Sequence, residues 1–183
     1  GITFTYRLSD MFLGPMAMPF YQEIGFTKIQ VAQITNFYGM WMTILGGLFA
    51  GLTLHRFGLV KNMIAGAIFV PLANIPFIFL NLIGNDVNFL IFTITVDNFS
   101  QGFISVVGIT FLSNMVSATY TATRYALLYG LVVIPPNIIS SGSGFVAEAY
   151  GFQNFFILCA LLGIPAIVLT LMVWQKREVF GFD

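Results

Sequence analysis

Charged residues are scarce in this chain of 183 residues: together they make up 8% of it, whereas soluble domains carry about 25%. So few charges cannot cover a soluble surface, and the mean hydropathy of +0.91 agrees. The net charge is zero, which excludes nucleic-acid binding through a basic patch. Cys159 is the only cysteine and His55 the only histidine. An intramolecular disulfide and a Cys/His metal cluster are therefore excluded, and no cofactor or metal is expected.

The chain also contains long apolar runs, and each of them reaches the range of roughly 17–25 residues that a membrane-spanning helix needs. They do not alternate apolar and polar residues as the strands of a membrane barrel do. The sequence thus predicts an all-α integral membrane protein with a single six-helix transmembrane domain over residues 1–183. The six predicted spans lie at about 5–21, 29–54, 62–83, 87–115, 125–147 and 154–174.

The basic residues around these spans indicate the orientation, because lysine and arginine favour the cytoplasmic side. One side carries Arg56, Lys61, Arg124, Lys176 and Arg177. The opposite side carries only Lys28. Both termini are therefore predicted to be cytoplasmic. Six spans divide into two units of three, and an odd number of spans inverts the second unit relative to the first, as in many transporter repeats.

Asp97 is the most informative polar residue in the predicted spans. It follows Asn88 by nine residues, or about 14 Å of helix, which places it near the middle of a hydrocarbon core about 30 Å thick. A charge there costs about 2.5–3.5 kcal/mol on insertion scales. The residue is therefore either a proton-coupling or substrate-binding carboxylate in a water-filled cavity, or a buried acid held by an amide. Gln101 follows on the same helical face and Asn98 lies beside it, and both are candidates for the substrate cavity.

Other polar residues lie in the remaining spans. Arg7 and Asp10, three residues apart in the first span, form either a local ion pair or a pair at a cavity mouth that gates or binds an acidic group. Asn36, Asn74 and Asn137 lie in the second, third and fifth spans. Each is a candidate for the substrate cavity, and the alternative for each is a hydrogen bond between helices.

Small residues recur four apart in the second span, in the stretch from Gly47 to Gly51. This small-xxx-small pattern predicts close packing against another helix. The chain also lacks a nucleophile elbow, an HExxH motif and paired histidines. An enzyme is therefore not predicted.

The loop after the second span resembles the loop signature of the major facilitator superfamily. It reads Gly51-Leu-Thr-Leu-His55-Arg56-Phe-Gly58-Leu-Val-Lys61. The family signature has a glycine, an aspartate four positions on, then an arginine, a glycine and basic residues, and it lies between the second and third helices of each six-helix half. His55 stands where the family has aspartate. The resemblance implies that Gly51, His55, Arg56, Gly58 and Lys61 form a conformational loop that stabilises one access state.

Further stretches resemble one branch of that superfamily, the AmpG-type muropeptide permeases and their acetyl-coenzyme A transporter relatives. They match, in order, the seventh, eighth, tenth, eleventh and twelfth helices of those permeases: Tyr6–Phe12, Gly25–Thr27, Asp97–Asn98 with Gly102, Ser117–Leu128 and Gly151–Phe156. The resemblance implies proton-driven import of anhydromuropeptides, the sugar-peptide fragments of the cell wall, across a bacterial inner membrane. It also implies that Asp10 and Asp97 lie on the two helices that line the central cavity.

The same resemblance covers only the C-terminal six helices of such a permease. The expected partners are therefore the lipid bilayer, protons, a small sugar-peptide and either a separate N-terminal six-helix half or a second copy of the chain. Two alternatives stay open. One is a transporter for another solute, such as acetyl-coenzyme A, a sugar or a drug. The other is a truncated membrane remnant that transports nothing.

Overall fold

The computed structural model describes residues 16–114 without a gap. Beyond them it describes only residues 123, 125–127, 129–130, 134, 138, 149, 151, 154–155, 157 and 161. The predicted second and third spans, and the fourth apart from its last residue, fall within the continuous part. Most of the predicted first span and the body of the last two lie outside the described residues.

The continuous part is entirely helical apart from short connections, and it contains no strand. Helix α1 occupies residues 16–24. Helix α2 (Lys28–Ala32), a π-helical segment (Gln33–Gly39) and helix α3 (Met40–Phe57) follow one another without a break and form a single rod. Helix α4 runs over Leu59–Ile83 and helix α5 over Val87–Asn114.

Three helical segments are long and apolar enough to cross a membrane: the rod Lys28–Phe57 with 30 residues, helix α4 (Leu59–Ile83) with 25 and helix α5 (Val87–Asn114) with 28. Each exceeds the roughly 20 residues that a span needs. The predicted all-α membrane fold is thereby confirmed for the described part of the chain.

The rod that begins at Lys28 starts with a capping box. The hydroxyl of Thr27 accepts a hydrogen bond from the backbone N–H of Gln30 at 3.3 Å, and the Gln30 side chain accepts one from the N–H of Thr27 at the same distance. Two backbone donors that a helix start leaves unpaired are satisfied in this way. The α1–α2 connection also meets the α4–α5 connection, because the side-chain amide of Asn85 donates a hydrogen bond to the carbonyl oxygen of Gly25 at 3.2 Å.

Two glycines end helices α3 and α4. Gly58 has φ +78° and ψ 172°, and its N–H donates to the carbonyl of Leu54 at 3.0 Å. Gly84 has φ +85° and donates to the carbonyl of Leu80 at 2.9 Å. A positive φ of this kind is open almost only to glycine, since a Cβ would collide with the backbone.

The Gly58→Ala substitution is therefore expected to lower the free energy of unfolding by about 1–3 kcal/mol. Gly51→Ala is the matched control, because Gly51 lies within α3 with open space around it and alanine favours a helix more than glycine does. Thermal unfolding of both variants in detergent measures the difference. Equal melting temperatures would contradict the strain assigned to Gly58.

Apolar side chains join the helices in two clusters. The first cluster connects α1, α2, α4 and α5 with a residue beyond the continuous part: Phe20, Tyr21, Phe26, Val31, Phe77, Leu80, Leu90, Ile94 and Phe155. The second cluster connects α3, α4 and α5: Ala50, Met63, Ala67, Val70, Phe103, Ile104 and Val107. Helix α5 belongs to both clusters, so its side chains are positioned by packing along most of its length.

Helices α3 and α5 approach each other most closely at two glycines. A Cβ added at Gly46 would overlap the carbonyl oxygen of Phe99, and a Cβ added at Gly102 would overlap the carbonyl oxygen of Thr43. Small residues at a crossing let two helix backbones touch inside a membrane. The crossing therefore depends on glycine at both positions.

The predicted packing of Gly47 and Gly51 is only half right. Gly47 faces α5, where an added Cβ would lie 3.4 Å from Cγ2 of Val106. Among the described residues nothing lies within 4 Å of a Cβ added at Gly51. The prediction is wrong for Gly51 because the helices cross earlier along α3, at Gly46.

Candidate functional site

Asp97 lies in the middle of helix α5. It is ten residues from the start of the helix at Val87, or about 15 Å at 1.5 Å per residue. Its side chain is half-buried. An acid at this depth is one of the costly residues that membrane helices keep mainly facing a bundle interior or a cavity.

Two side chains interact with the carboxyl group of Asp97. One is the side chain of Gln101, one helical turn further on. Tyr21 of α1 is close enough to interact with it electrostatically. Tyr21 itself is buried and stacks on Phe77 of α4, with ring centroids 6.3 Å apart and planes inclined by 27°. The site is therefore built from α5 and α1, and α4 holds the tyrosine in place.

No described lysine or arginine neutralises Asp97. Lys28, Arg56 and Lys61 are the described basic residues, and all three are exposed near the ends of their helices. The partners of Asp97 in residues 16–114 are thus an amide and a neighbouring phenol. Such a setting permits a neutral as well as a charged carboxyl group, because neither state is fixed by an adjacent cation.

Asn98 follows Asp97 in the sequence but is directed towards α3. Its amide nitrogen donates to the carbonyl of Ile94 at 3.0 Å, and the hydroxyl of Thr43 donates to its Oδ1 at 3.2 Å. Successive residues of a helix diverge by about 100°, so the two side chains occupy different faces. Gly39 leaves room for the amide, since a Cβ added there would lie 3.1 Å from Nδ2 of Asn98. The structure thus separates Asn98 from Asp97, and a place for it in a substrate cavity stays a prediction.

A second polar contact links the π-helical segment to α5. Thr95 Oγ1 lies 3.1 Å from the hydroxyl oxygen of Tyr38 and 2.7 Å from the carbonyl oxygen of Ile91. The contact of Thr43 with Asn98 and that of Thr95 with Tyr38 both lie near the middle of α5. The polar groups of this region are therefore used largely to join helices.

The remaining predicted cavity residues are dispersed. Asn36 lies on the π-helical segment and is exposed. Asn74 lies in α4, is 3% exposed and has a bonding partner of its own. Arg7, Asp10 and Asn137 lie outside the described residues. The structure thus joins Asp97 to Gln101 and leaves Asn36 and Asn74 on separate helices.

The predicted conformational loop is mostly helical, because His55 and Arg56 belong to the last turn of α3, Lys61 belongs to the first turn of α4, and only Gly58 lies between the two helices. His55, Arg56 and Lys61 are all exposed there, and the guanidinium of Arg56 lies 5.7 Å from the ring centroid of Phe57. Gly51 belongs to α3, one turn before His55. The loop therefore presents its charges to the surroundings, as an interfacial connection would.

Two residues of this region, Tyr21 and Asn62, were not predicted from the sequence. Tyr21 interacts electrostatically with Asp97 from 76 positions away in the chain, and no local pattern signals that proximity. The polar stripe that Thr43 forms with Asn36 predicts either a contact between helices or a shared cavity, and its hydrogen bond to Asn98 is the first of these. Asn62 is buried and donates to the carbonyl of Gly58 at 2.7 Å, which holds the start of α4 against the loop; its spacing of four residues from Gly58 could have indicated this bond.

Comparison with known proteins gives a family and several relatives. The family model described as Major Facilitator Superfamily matches residues 1–180. One relative, "Putative transporter AmpG 4" of Rickettsia conorii, is 30% identical over 174 residues, which are 95% of this chain and 42% of the relative. AmpG 1 of Rickettsia bellii is 28% identical over 173 residues, with 94% and 42% covered. AmpG 3 of Rickettsia prowazekii is 25% identical over 177 residues, with 97% and 42% covered. The chain thus spans less than half the length of these curated relatives.

Proposed function

Because the chain belongs to the Major Facilitator Superfamily, we propose that it is the C-terminal six-helix half of a secondary transporter in a bacterial inner membrane. Each of the three relatives is named as a transporter. The chain covers 42% of each of them, which agrees with one half of a two-half protein. In such transporters the two halves rock against each other around a site near the bilayer midplane.

The proposed reaction is the import of anhydromuropeptides coupled to the entry of protons. The muropeptide assignment rests on the resemblance of Tyr6–Phe12, Ser117–Leu128 and Gly151–Phe156 to AmpG-type permeases, and the names of the relatives support it. These stretches span most of the chain. A permease of this kind returns cell-wall fragments to the cytoplasm for reuse.

The observation that carries the coupling is the setting of Asp97. Its carboxyl group lies about halfway along a membrane-spanning helix, with the Gln101 amide and Tyr21 as its neighbours. A carboxylate locked to an arginine would keep its charge, whereas this one has no such partner among residues 16–114. It is therefore suited to take up a proton in one access state and release it in the other. Arg7 and Asp10 are proposed to assist at the mouth of the cavity.

The substrate is proposed to lie against polar side chains from several helices. Gln101 on α5, Asn36 on the π-helical segment and Asn74 on α4 supply amides, and Asn98 and Asn137 complete the set. Amide groups suit a sugar-peptide because they both donate and accept hydrogen bonds. The loop from Gly51 through His55, Arg56 and Gly58 to Lys61 is proposed to stabilise one of the access states.

A complete cavity needs a second set of helices. The proposed partner is a separate N-terminal six-helix half, and a second copy of this chain is the other arrangement that would supply twelve helices. Both halves must be present in the same membrane for alternating access to work. If the partner is the N-terminal half, this chain is expected to be inactive when it is the only transporter half in a vesicle, whereas uptake by this chain alone would indicate the arrangement with a second copy.

Uptake of labelled anhydromuropeptide into vesicles tests the proposal. Right-side-out vesicles are compared that contain this chain alone, this chain with its six-helix partner, or neither, each with and without an imposed pH gradient. We expect accumulation only with both halves and only with the gradient. Accumulation of acetyl-coenzyme A or a simple sugar instead would mean that this solute, and not the muropeptide, is the substrate. No uptake of any solute, with insertion of both halves verified, would favour a remnant and overturn the transport proposal.

A further inference from the structure

Two cations and a histidine lie together where helix α3 passes into α4. His55 and Arg56 belong to the last turn of α3, Lys61 belongs to the first turn of α4, and only Gly58 separates the two helices. All three side chains are exposed. Both helices belong to segments that are long and apolar enough to cross a membrane. The side chains of His55, Arg56 and Lys61 therefore form a cationic patch at a membrane surface.

No acid of the described residues neutralises the cationic patch. The acids in residues 16–114 are Glu23, Asp86 and Asp97, and Asp97 lies in the middle of α5. Glu23 and Asp86 lie at the opposite end of the bundle, where Asn85 joins the α1–α2 connection to the α4–α5 connection. The 25 residues of α4 separate the two ends, which is about 37 Å. That distance is several times the screening length of about 10 Å at 0.1 M salt.

An exposed apolar stripe on α3 continues from the cationic patch towards the middle of the bundle. It consists of Leu45, Leu48 and Leu52, which are 48%, 61% and 72% exposed. At 100° per residue, all three lie in the sector between the directions of Arg56 and His55. Leu45 precedes Arg56 by 11 residues, or about 16 Å along the helix. The stripe therefore has about the depth of one leaflet of a hydrocarbon core about 30 Å thick.

The side chains of the cationic patch suit a phosphate group. The guanidinium of Arg56 lies over the Phe57 ring, 5.7 Å from its centroid. A guanidinium held against a ring face keeps N–H donors at its edge, and this planar fork matches two phosphate oxygens. Lys61 adds a second positive charge. The ammonium of a zwitterionic headgroup would need an acidic partner, and the patch contains none.

From this arrangement we infer that the cationic patch is a binding site for an anionic phospholipid. The lipid phosphate contacts Arg56 and Lys61, and an acyl chain lies along the stripe of Leu45, Leu48 and Leu52. The charge of the patch selects the headgroup, and the position of the stripe below it selects a lipid over a free anion. The inference does not depend on the proposed transport function, because it concerns the binding of a lipid and not the movement of a solute.

Native mass spectrometry of the full chain, delipidated in detergent, tests the site. The protein is titrated with phosphatidylglycerol or with phosphatidylcholine of the same acyl chains, and the bound lipids are counted. We expect one phosphatidylglycerol to bind about 25-fold more tightly than phosphatidylcholine, since each lysine or arginine near an anionic headgroup contributes about fivefold. Inorganic phosphate is added as a third probe, and millimolar concentrations are expected to leave the bound lipid in place.

Three variants and a control locate the binding. Arg56→Gln and Lys61→Gln are each expected to weaken phosphatidylglycerol binding about fivefold, and the double variant is expected to bind it no more tightly than phosphatidylcholine. Lys28→Gln is the matched control, because Lys28 is an exposed cation at the opposite end of the same rod. It is expected to leave the binding of both lipids unchanged. Melting temperatures of all variants verify that each is folded.

Four outcomes would overturn the inference. Equal affinity of the unmodified protein for the two lipids would mean that the patch does not select charge. Phosphatidylglycerol binding that the folded double variant retains in full would place the lipid elsewhere. Displacement of the lipid by millimolar inorganic phosphate would indicate a site for a free anion. A carbodiimide cross-link between Lys61 and Glu178 that excludes the lipid would mean that the C-terminal part of the chain covers the patch.

Discussion

Replacing Gly102 by alanine is expected to destabilise the protein, although the same change usually stabilises a helix. Alanine is favoured over glycine in a helix interior by about 1 kcal/mol. At Gly102, however, the new methyl group would overlap the carbonyl oxygen of Thr43, and it would also lie 3.0 Å from the backbone nitrogen of Gly47. Backbone atoms cannot move to another rotamer, so α3 and α5 must separate. Overpacking of this kind costs about 1–3 kcal/mol, and we expect the upper end of that range.

The measurement is thermal unfolding of the detergent-solubilised protein, followed by circular dichroism. Gly51→Ala is the matched control, since it adds the same methyl group to α3 in open space. The expected result is a lower melting temperature for Gly102→Ala and an equal or higher one for Gly51→Ala. If both substitutions raised the melting temperature, the close crossing of α3 and α5 would be disproved.

Replacing Asp97 by asparagine is expected to abolish accumulation driven by a pH gradient, down to the level of vesicles without the protein. Asparagine has nearly the same shape and keeps a polar side chain beside Gln101, so the fold is retained. It cannot bind and release a proton, so coupling is lost. Exchange of labelled for unlabelled substrate, which needs no net proton movement, is expected to continue.

Uptake and exchange are measured in the same vesicles that contain both transporter halves. Glu23→Gln serves as the control, because Glu23 is an exposed acid outside the middle of any span. Its pH-driven accumulation is expected to equal that of the unmodified protein. A protein with Asp97→Asn that still accumulates substrate against a gradient would remove Asp97 from the coupling mechanism.

The helices were predictable because their signals are local. Apolar runs of more than 20 residues gave the three described spans, and Thr27 with Gln30 is a capping pattern visible in the sequence. Helix α3 continues to Phe57, three residues beyond the predicted end of the second span, and it stops where Gly58 takes a positive φ. Hydropathy falls before the end of the helix, so it marks the apolar run, whereas a glycine marks where the helix can stop.

Only the part of the site that lies on a single helix was predictable from the sequence. Asp97 and Gln101 are four residues apart, so their meeting follows from helix geometry alone. Tyr21 joins them only because α1 packs against α4 and α5, and that contact depends on the whole first cluster. Asn98 was grouped with Asp97 by adjacency, whereas the position of α3 decides that it bonds to Thr43. Contacts between helices are tertiary information that spacing within one helix does not contain.

The π-helical segment Gln33–Gly39 changes the phase of the rod that contains it. Hydrogen bonds that reach five residues ahead hold more residues in each turn than an α-helix does, so the two ends of the rod are rotated out of step. Val31 before the segment packs into the first apolar cluster, and Ala50 after it packs into the second. One continuous rod thereby packs into two clusters. If this segment returned to α-helical winding, the part of the rod before it would rotate about the helix axis, while the crossing at Gly46 stayed in place.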